Sequence, residues 1–237
     1  MKKLGIIIFI IALGVGVVLS NVFSWGTFGF KSPISFSFPS FSKVNGYGNV
    51  ASENRGVAGF DSIRVSGVYV VEVVAQKDFS VQVEADDNLL PLIETYVKGD
   101  TLRIRNKKRI STRNPIKIKV SAPNIESIRN SGVAKVTVTD INNESFQIRS
   151  SGASKIKVTG KTGELQMKLS GACKVDATEL VSSDVKVRGS GASYAKVNVD
   201  GDLAARLSGA SRVVYSGSPK NINKRTSGAS SVRQVKQ

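Results

Sequence analysis

The chain has 237 residues, 41% of them hydrophobic, and a formal net charge of +16; that apolar content suits a packed core rather than disorder. It contains no histidine and one cysteine, Cys173, which excludes imidazole acid-base chemistry, Cys/His nucleophiles, intrachain disulfides and multi-cysteine zinc sites, and nothing indicates a cofactor or a metal. The positive charge calls for an anionic partner: nucleic acid, an anionic membrane surface or a polymer of the cell envelope.

The amino terminus narrows that choice. Lys2 and Lys3 precede LGIIIFIIALGVGVVL, residues 4–19, an uncharged apolar run that continues to Phe23. Residues 1–23 therefore read as an export signal or membrane-anchor helix. No small-x-small cleavage site follows, which favours an uncleaved anchor, and no cysteine follows to carry a lipid. With the lysines on the amino side, the positive-inside tendency sends the rest out of the cytoplasm. The expected location is the cell envelope, membrane-anchored, or secretion, where nucleic acid is not an expected partner. Residues 24–49, SWGTFGFKSPISFSFPSFSKVNGYGN, are rich in Ser, Gly, Phe and Pro and read as a linker, although the alternation in ISFSFPSF also fits an edge strand.

Residues 50–130 form an N-terminal β part. FDSIRVSG, VYVVEVVA, FSVQVEA, TLRIRN, IKIKVSA and IESIRNSG alternate apolar with polar at period two, as half-buried strands do. Between them DNLLPLIETYV, residues 87–97, has capping residues followed by apolar residues at helical spacing and predicts one short helix. Lys107, Lys108, Arg109 and Arg113 make a basic loop, read as a solvated hairpin tip.

From residue 131 to 237 one tripeptide recurs. Gly132, Gly152, Gly171, Gly191, Gly209 and Gly228 each follow serine, at spacings of 20, 19, 20, 18 and 19, and Ser66-Gly67-Val68 is an earlier outlier. Each unit holds two short alternating strands flanking the SGA motif, too short for a helix-containing repeat, so a β-solenoid with coils of about 19 residues is expected. The glycines are its corners, because a sharp turn between strands needs positive φ or close backbone approach. Two places on stand Ala134, Ser154, Cys173, Ser193, Ser211 and Ser230, small and in phase with inward Val136, Ile156, Val175, Ala195, Val213 and Val232. Cys173 reads as a buried stand-in for serine. The serines lack any base to activate them, so hydrogen bonding to each other or to the corner backbone is the expected role.

Three residues before each glycine stand Arg129, Arg149, Lys168, Arg188, Arg206 and Arg225, with Arg64 before Gly67. Alternation puts them outside. Lys135, Lys155, Lys174, Tyr194 and Arg212 form a second column three residues after the glycine. The acids fall mostly near the far loops, and residues 131–237 hold 17 basic and 8 acidic groups. A regular row of cations suits a repeating polyanion; solubility and protection of strand edges explain it equally well.

Taken together, GFDSIRVSGVYVVEV, FSVQVEADDNLLPLIETYVKGDTLRIR, IKIKVSAPNIESIRNSGVAKVTV and the SGAS repeats resemble the family described as "putative auto-transporter adhesin, head GIN domain", over roughly residues 55–235. The resemblance implies an all-β fold built as a right-handed parallel β-helix, export to the envelope or surface, and an adhesive role without catalytic residues. After the first glycine, where an isoleucine-asparagine pair is expected, this chain has Val68-Tyr69, and no role tied to that pair is carried over. The sequence thus reads as a non-catalytic, adhesin-like β-solenoid that binds envelope or surface polyanions. The alternatives are a polysaccharide-acting enzyme of the β-helix type, for which the scattered carboxylates provide no converging pair, and a self-associating surface scaffold whose last coil, SGASSVRQVKQ, carries no obvious cap.

Overall fold

The computed structural model describes residues 43–235; the apolar run at 1–23, residues 24–42 with their ISFSFPSF segment, and residues 236–237 lie outside the described residues. Among the described residues no helix is long and apolar enough to cross a membrane. The chain is all-β. Its strands in order are β1 Val44–Asn45, β2 Val50–Asn54, β3 Ser62–Val74, β4 Ser80–Asp86, β5 Ile93–Lys98, β6 Thr101–Asn106, β7 Ile110–Ser111, β8 Lys117–Ser121, β9 Ser127–Gly191, β10 Tyr194–Val199, β11 Asp202–Leu207, β12 Arg212–Ser216, β13 Asn221–Thr226 and β14 Ser231–Gln234.

Alternation sets the faces. In β3, Ile63, Val65, Tyr69, Val71 and Val73 are buried while Arg64, Ser66, Val68 and Glu72 are exposed, so its core face is continuous through Gly67. β3 is thus one strand where the sequence predicts two. Likewise β9 runs unbroken from Ser127 to Gly191. A straight strand of that length would exceed about 200 Å at roughly 3.3 Å per residue, so β9 has to fold back on itself. It returns to one place at each SGA glycine. A Cβ on Gly152 would lie 2.4 Å from the carbonyl oxygen of Gly132, and one on Gly171 would lie 2.6 Å from that of Gly152. Gly67, Gly132, Gly152, Gly171, Gly191, Gly209 and Gly228 therefore lie each on the next, all at positive φ.

From this column two parallel ladders extend. β10 pairs with β9 and β12, and β12 with β14. On the other side of the glycines β11 pairs with β9 and β13. At the amino-terminal flank β9 pairs in parallel with β3, Gly132 facing Gly67, and β3 pairs in parallel with β6 through its first half and β8 through its second. The flank then turns antiparallel: β5 against β6, β4 against β8, β2 against β4. The sheet is mixed, and the parallel arrangement expected throughout does not hold here. The antiparallel strands lie outside the SGA units, and one of their pairs, β5 with β6, is joined by a tight turn, which antiparallel pairing allows and parallel pairing does not.

The helix expected over residues 87–97 is also corrected. Only Asp87–Leu92 is helical, as a 3-10 turn containing Pro91, and Ile93–Lys98 is β5, a hairpin with β6 through Gly99 at φ +64°. Proline removes a donor and so opposes a longer helix. Ile93, Thr95 and Val97 alternate with Glu94, Tyr96 and Lys98, a period-two pattern that the apolar spacing of LLPLI obscures.

β1 lies in the stretch read as linker, yet it pairs with β7. Buried Asp86 secures the region: one carboxylate oxygen accepts from Asn114 Nδ2 at 2.7 Å and the other from Thr112 Oγ1 at 2.8 Å. These donors hold its carboxyl below the usual range, the Asn114 amide most strongly.

The core consists of side-chain columns. Ile63, Ile128, Ile148, Met167, Val187 and Ala205 fill one side, and Val71, Val136, Ile156, Val175, Ala195 and Val213 the other. Full burial of such a side chain contributes about 1.5–3 kcal/mol. The last rung differs. Lys224 faces Ala205, Thr226 faces Leu207 and Gln234 faces Tyr215. Polar residues thus continue apolar columns on the final strands, as terminal units of stacked architectures require, and this is a capping signal that the sequence reading overlooks.

Candidate functional site

Most of the stacked glycines are stapled from inside. Ser193 Oγ donates to the carbonyl oxygen of Ser190 at 2.9 Å, Ser211 Oγ to that of Ser208 at 2.9 Å, and Cys173 Sγ to that of Ser170 at 3.2 Å. Ser150 and Ser154 share a hydroxyl hydrogen bond of 2.6 Å. Cys173 is 1% exposed, a packed small residue with no partner for thiol chemistry. Buried polar groups need such partners; here they fix the backbone that aims the residues outside.

Outside the corners lies a row of cations. Arg64 is in register with Arg129, and Arg206 with both Arg188 and Arg225. Arg64, Arg129, Arg149 and Lys168 line one cleft of about 360 Å³ together with Ser131, Ser151 and Ser170. Arg149, Lys168 and Arg188 line a second, of about 280 Å³, with Gln147, Gln166 and Lys186. The cations are exposed except Arg129, which is half-buried, as are Gln147 and Gln166. The row therefore runs from Arg64 through Arg225, and Arg103 extends it, since β6 sets Arg103 beside Arg64. Sequence reading misses Arg103 because no SGA motif follows TLRIRN; only the alternation of Leu102, Arg103 and Ile104 marks it as outward.

The row is electrostatically unbalanced. Among the described residues, ion pairs join Lys186 to Glu164 at 2.5 Å, Lys157 to Glu179 at 2.6 Å, Lys117 to Glu84 and Arg105 to Glu94 at 2.7 Å, and Arg55 to Glu53 at 3.0 Å. None includes a member of the row. The Nε atoms of Arg103 and Arg129 are also shut off from solvent without an acceptor. Stacked at one strand spacing, adjacent unit charges repel by about 1 kcal/mol in water. Folding tolerates that cost, and an anion relieves it.

The second column behaves differently. Lys174 pairs in register with Tyr194, its ammonium lying 5.8 Å from the ring centroid, and Lys135 and Lys155 are exposed beside the corners. The loop cations Lys107 and Lys108 are exposed away from the row, just after β6. Among the described residues no group of three or more Cys, Asp or Glu side chains is gathered for a metal.

Comparison with known proteins follows from this architecture. A crystal structure from Bacteroides fragilis described as a "putative adhesin" is similar at 19% identity, with a TM-score of 0.65, covering 81% of this chain and 100% of its own. Two from Parabacteroides distasonis are more distant: one described as a "putative lipid binding protein" (18% identity, TM-score 0.49, 82% and 100% covered) and one as a "putative adhesin" (19%, 0.47, 82% and 100%). No curated protein sequence matches significantly. The family model described as "Putative auto-transporter adhesin, head GIN domain" matches residues 59–219, from before β3 to beyond β12, and the chain belongs to that family.

Proposed function

We propose that the chain is an exported, non-catalytic, adhesin-like domain whose SGA units form a parallel β-solenoid and whose cation row binds a polyanion of an envelope or cell surface. The carrying observation is the row itself: Arg64, Arg103, Arg129, Arg149, Lys168, Arg188, Arg206 and Arg225 form one line, without an ion pair among the described residues, while Lys186 beside it and Lys157 beyond the glycines are paired with Glu164 and Glu179. A surface shaped only for solubility intersperses both signs. Guanidinium groups donate to carboxylate, sulfate and phosphate oxygens in paired, short hydrogen bonds. Family membership supports export and surface adhesion, and the residue 1–23 segment supports delivery across a membrane. Two parallel ladders joined at a glycine column support the solenoid; its handedness follows the family expectation.

Binding of a polyanion to the purified protein, titrated at low and at moderate salt, tests this reading. Each neutralised cation releases a counterion, so affinity should fall steeply as salt rises. Absence of binding at low salt to carboxylated, sulfated and phosphorylated polymers alike would overturn it.

A further inference from the structure

The row is flanked by polar side chains on both sides. On one side stand the exposed Ser131, Ser151 and Ser170. On the other stand Gln147 and Gln166, followed by Lys186. The glutamines are held in line by a hydrogen-bonded chain: Gln147 Nε2 donates to Gln166 Oε1 at 3.5 Å, Gln166 Nε2 to Glu164 Oε2 at 2.7 Å, and Lys186 Nζ to Glu164 Oε1 at 2.5 Å. Glu164 consequently sits below the usual carboxylate range, chiefly through Lys186. Glu164 is therefore engaged with Lys186 and the glutamine chain rather than with Arg149, Lys168 or Arg188.

Arg149 and Lys168 belong to both clefts, so each stands between an amide and a hydroxyl. Amide and hydroxyl donors can serve phosphate oxygens as well, but a bare chain of phosphates has no proton to donate to the acceptors aligned here, such as Gln147 Oε1 and the serine oxygens, whereas sugar hydroxyls both donate and accept. Nor does the trough suit single-stranded nucleic acid, for which protein grooves supply aromatic rings to stack bases; no aromatic residue lines either cleft. A ligand that uses the whole trough carries anionic groups and many neutral hydroxyls in one extended polymer.

Resting on the polyanion reading above, we infer that the row binds an acidic polysaccharide. Its carboxylate or sulfate groups accept hydrogen bonds from Arg149, Lys168 and Arg188, and its hydroxyls bond to Gln147 and Gln166 on one side and to Ser151 and Ser170 on the other. The glutamines set the choice of polymer and the cations set the charge dependence.

The test compares polygalacturonate, dextran sulfate and inorganic polyphosphate on the full chain and on a Gln147→Ala/Gln166→Ala variant. The wild type should bind at least one of the two polysaccharides more tightly than polyphosphate at equal charge concentration; whichever of the two it prefers supports the inference and names the anionic group. Loss of neutral hydrogen bonds should weaken that polysaccharide about threefold to tenfold in the variant, leave polyphosphate within about twofold, and leave the salt dependence unchanged because no charge is removed. Tighter wild-type binding of polyphosphate than of either polysaccharide, a comparison that needs no variant, overturns the inference. So does an equal loss for all three polymers. Both results leave the polyanion reading standing, whereas failure of every polymer to bind removes both.

Discussion

At the residue scale the corner glycines separate two causes of strain. Gly171 has φ +94° and its missing Cβ would lie 2.6 Å from a backbone oxygen, whereas Gly99 has φ +64° and open space around it. Gly99→Ala should cost about 1 kcal/mol, the price of a left-handed alanine. Gly171→Ala should cost at least about 1 kcal/mol more, since a backbone contact has to move as well. Chemical denaturation of both variants checks this, and equal losses would mean that the glycines do not stack. The same scale carries a pH effect at Asp86. Its folded pKa is lowered by Asn114 and Thr112, so its contribution is complete above the unfolded value of about 3.9 and is lost as pH falls through the folded value. The difference in melting temperature between wild type and Asp86→Asn should therefore be largest near neutrality and shrink below about pH 4; a constant difference would show that the carboxylate charge plays no part. The stacked glycines and the column of small residues that includes Cys173 were legible in the sequence because each column occupies a fixed place in the unit. Asp86 was not, since its donors lie 26 and 28 residues away and no local pattern brings them together.

At the element scale alternation identified the strands but not their partners. β4, β6 and β8 lie close to where period two placed them, yet whether a neighbour runs parallel or antiparallel depends on connections that alternation does not encode. β5 was hidden for a related reason: Leu89, Leu90 and Ile93 fit a helical stripe, and only the Gly99 turn returning Thr101–Asn106 against Ile93–Lys98 resolves it as a strand. The last rung shows how a single residue governs an edge. Among the described residues β13 pairs on one side only, with β11, and Lys224 occupies the column of Ala205. An inward charge on an edge strand discourages pairing with another chain. Lys224→Val should accordingly make the protein associate with rising concentration, seen by analytical ultracentrifugation, while the wild type stays unassociated under the same conditions. Concentration-dependent association of the wild type through this edge would favour the scaffold alternative.

At the scale of the whole molecule the net charge of +16 states that an anion matters without saying where. The sequence placed most of the row, because three residues before each glycine is a countable position; it missed Arg103, which reaches the row through strand pairing, and the glutamine flank, which becomes a chain only when successive units stand side by side. If residues 1–23 act as an uncleaved anchor, the protein should fractionate with membranes, resist a salt wash and keep its amino terminus by mass spectrometry; a mature form beginning after residue 20 would show a cleaved signal. The central claim is that affinity comes from the row rather than from net charge. The most direct measurement compares polyanion binding by two variants that each lose four charges: Arg149→Gln/Lys168→Gln/Arg188→Gln/Arg206→Gln in the row, and Lys77→Gln/Lys107→Gln/Lys108→Gln/Arg113→Gln outside it. The row variant should remain folded, because its altered side chains lie in solvent, and should lose most of the affinity together with the steepness of its salt dependence, while the second variant stays close to wild type. Equal losses in the two variants would contradict the claim.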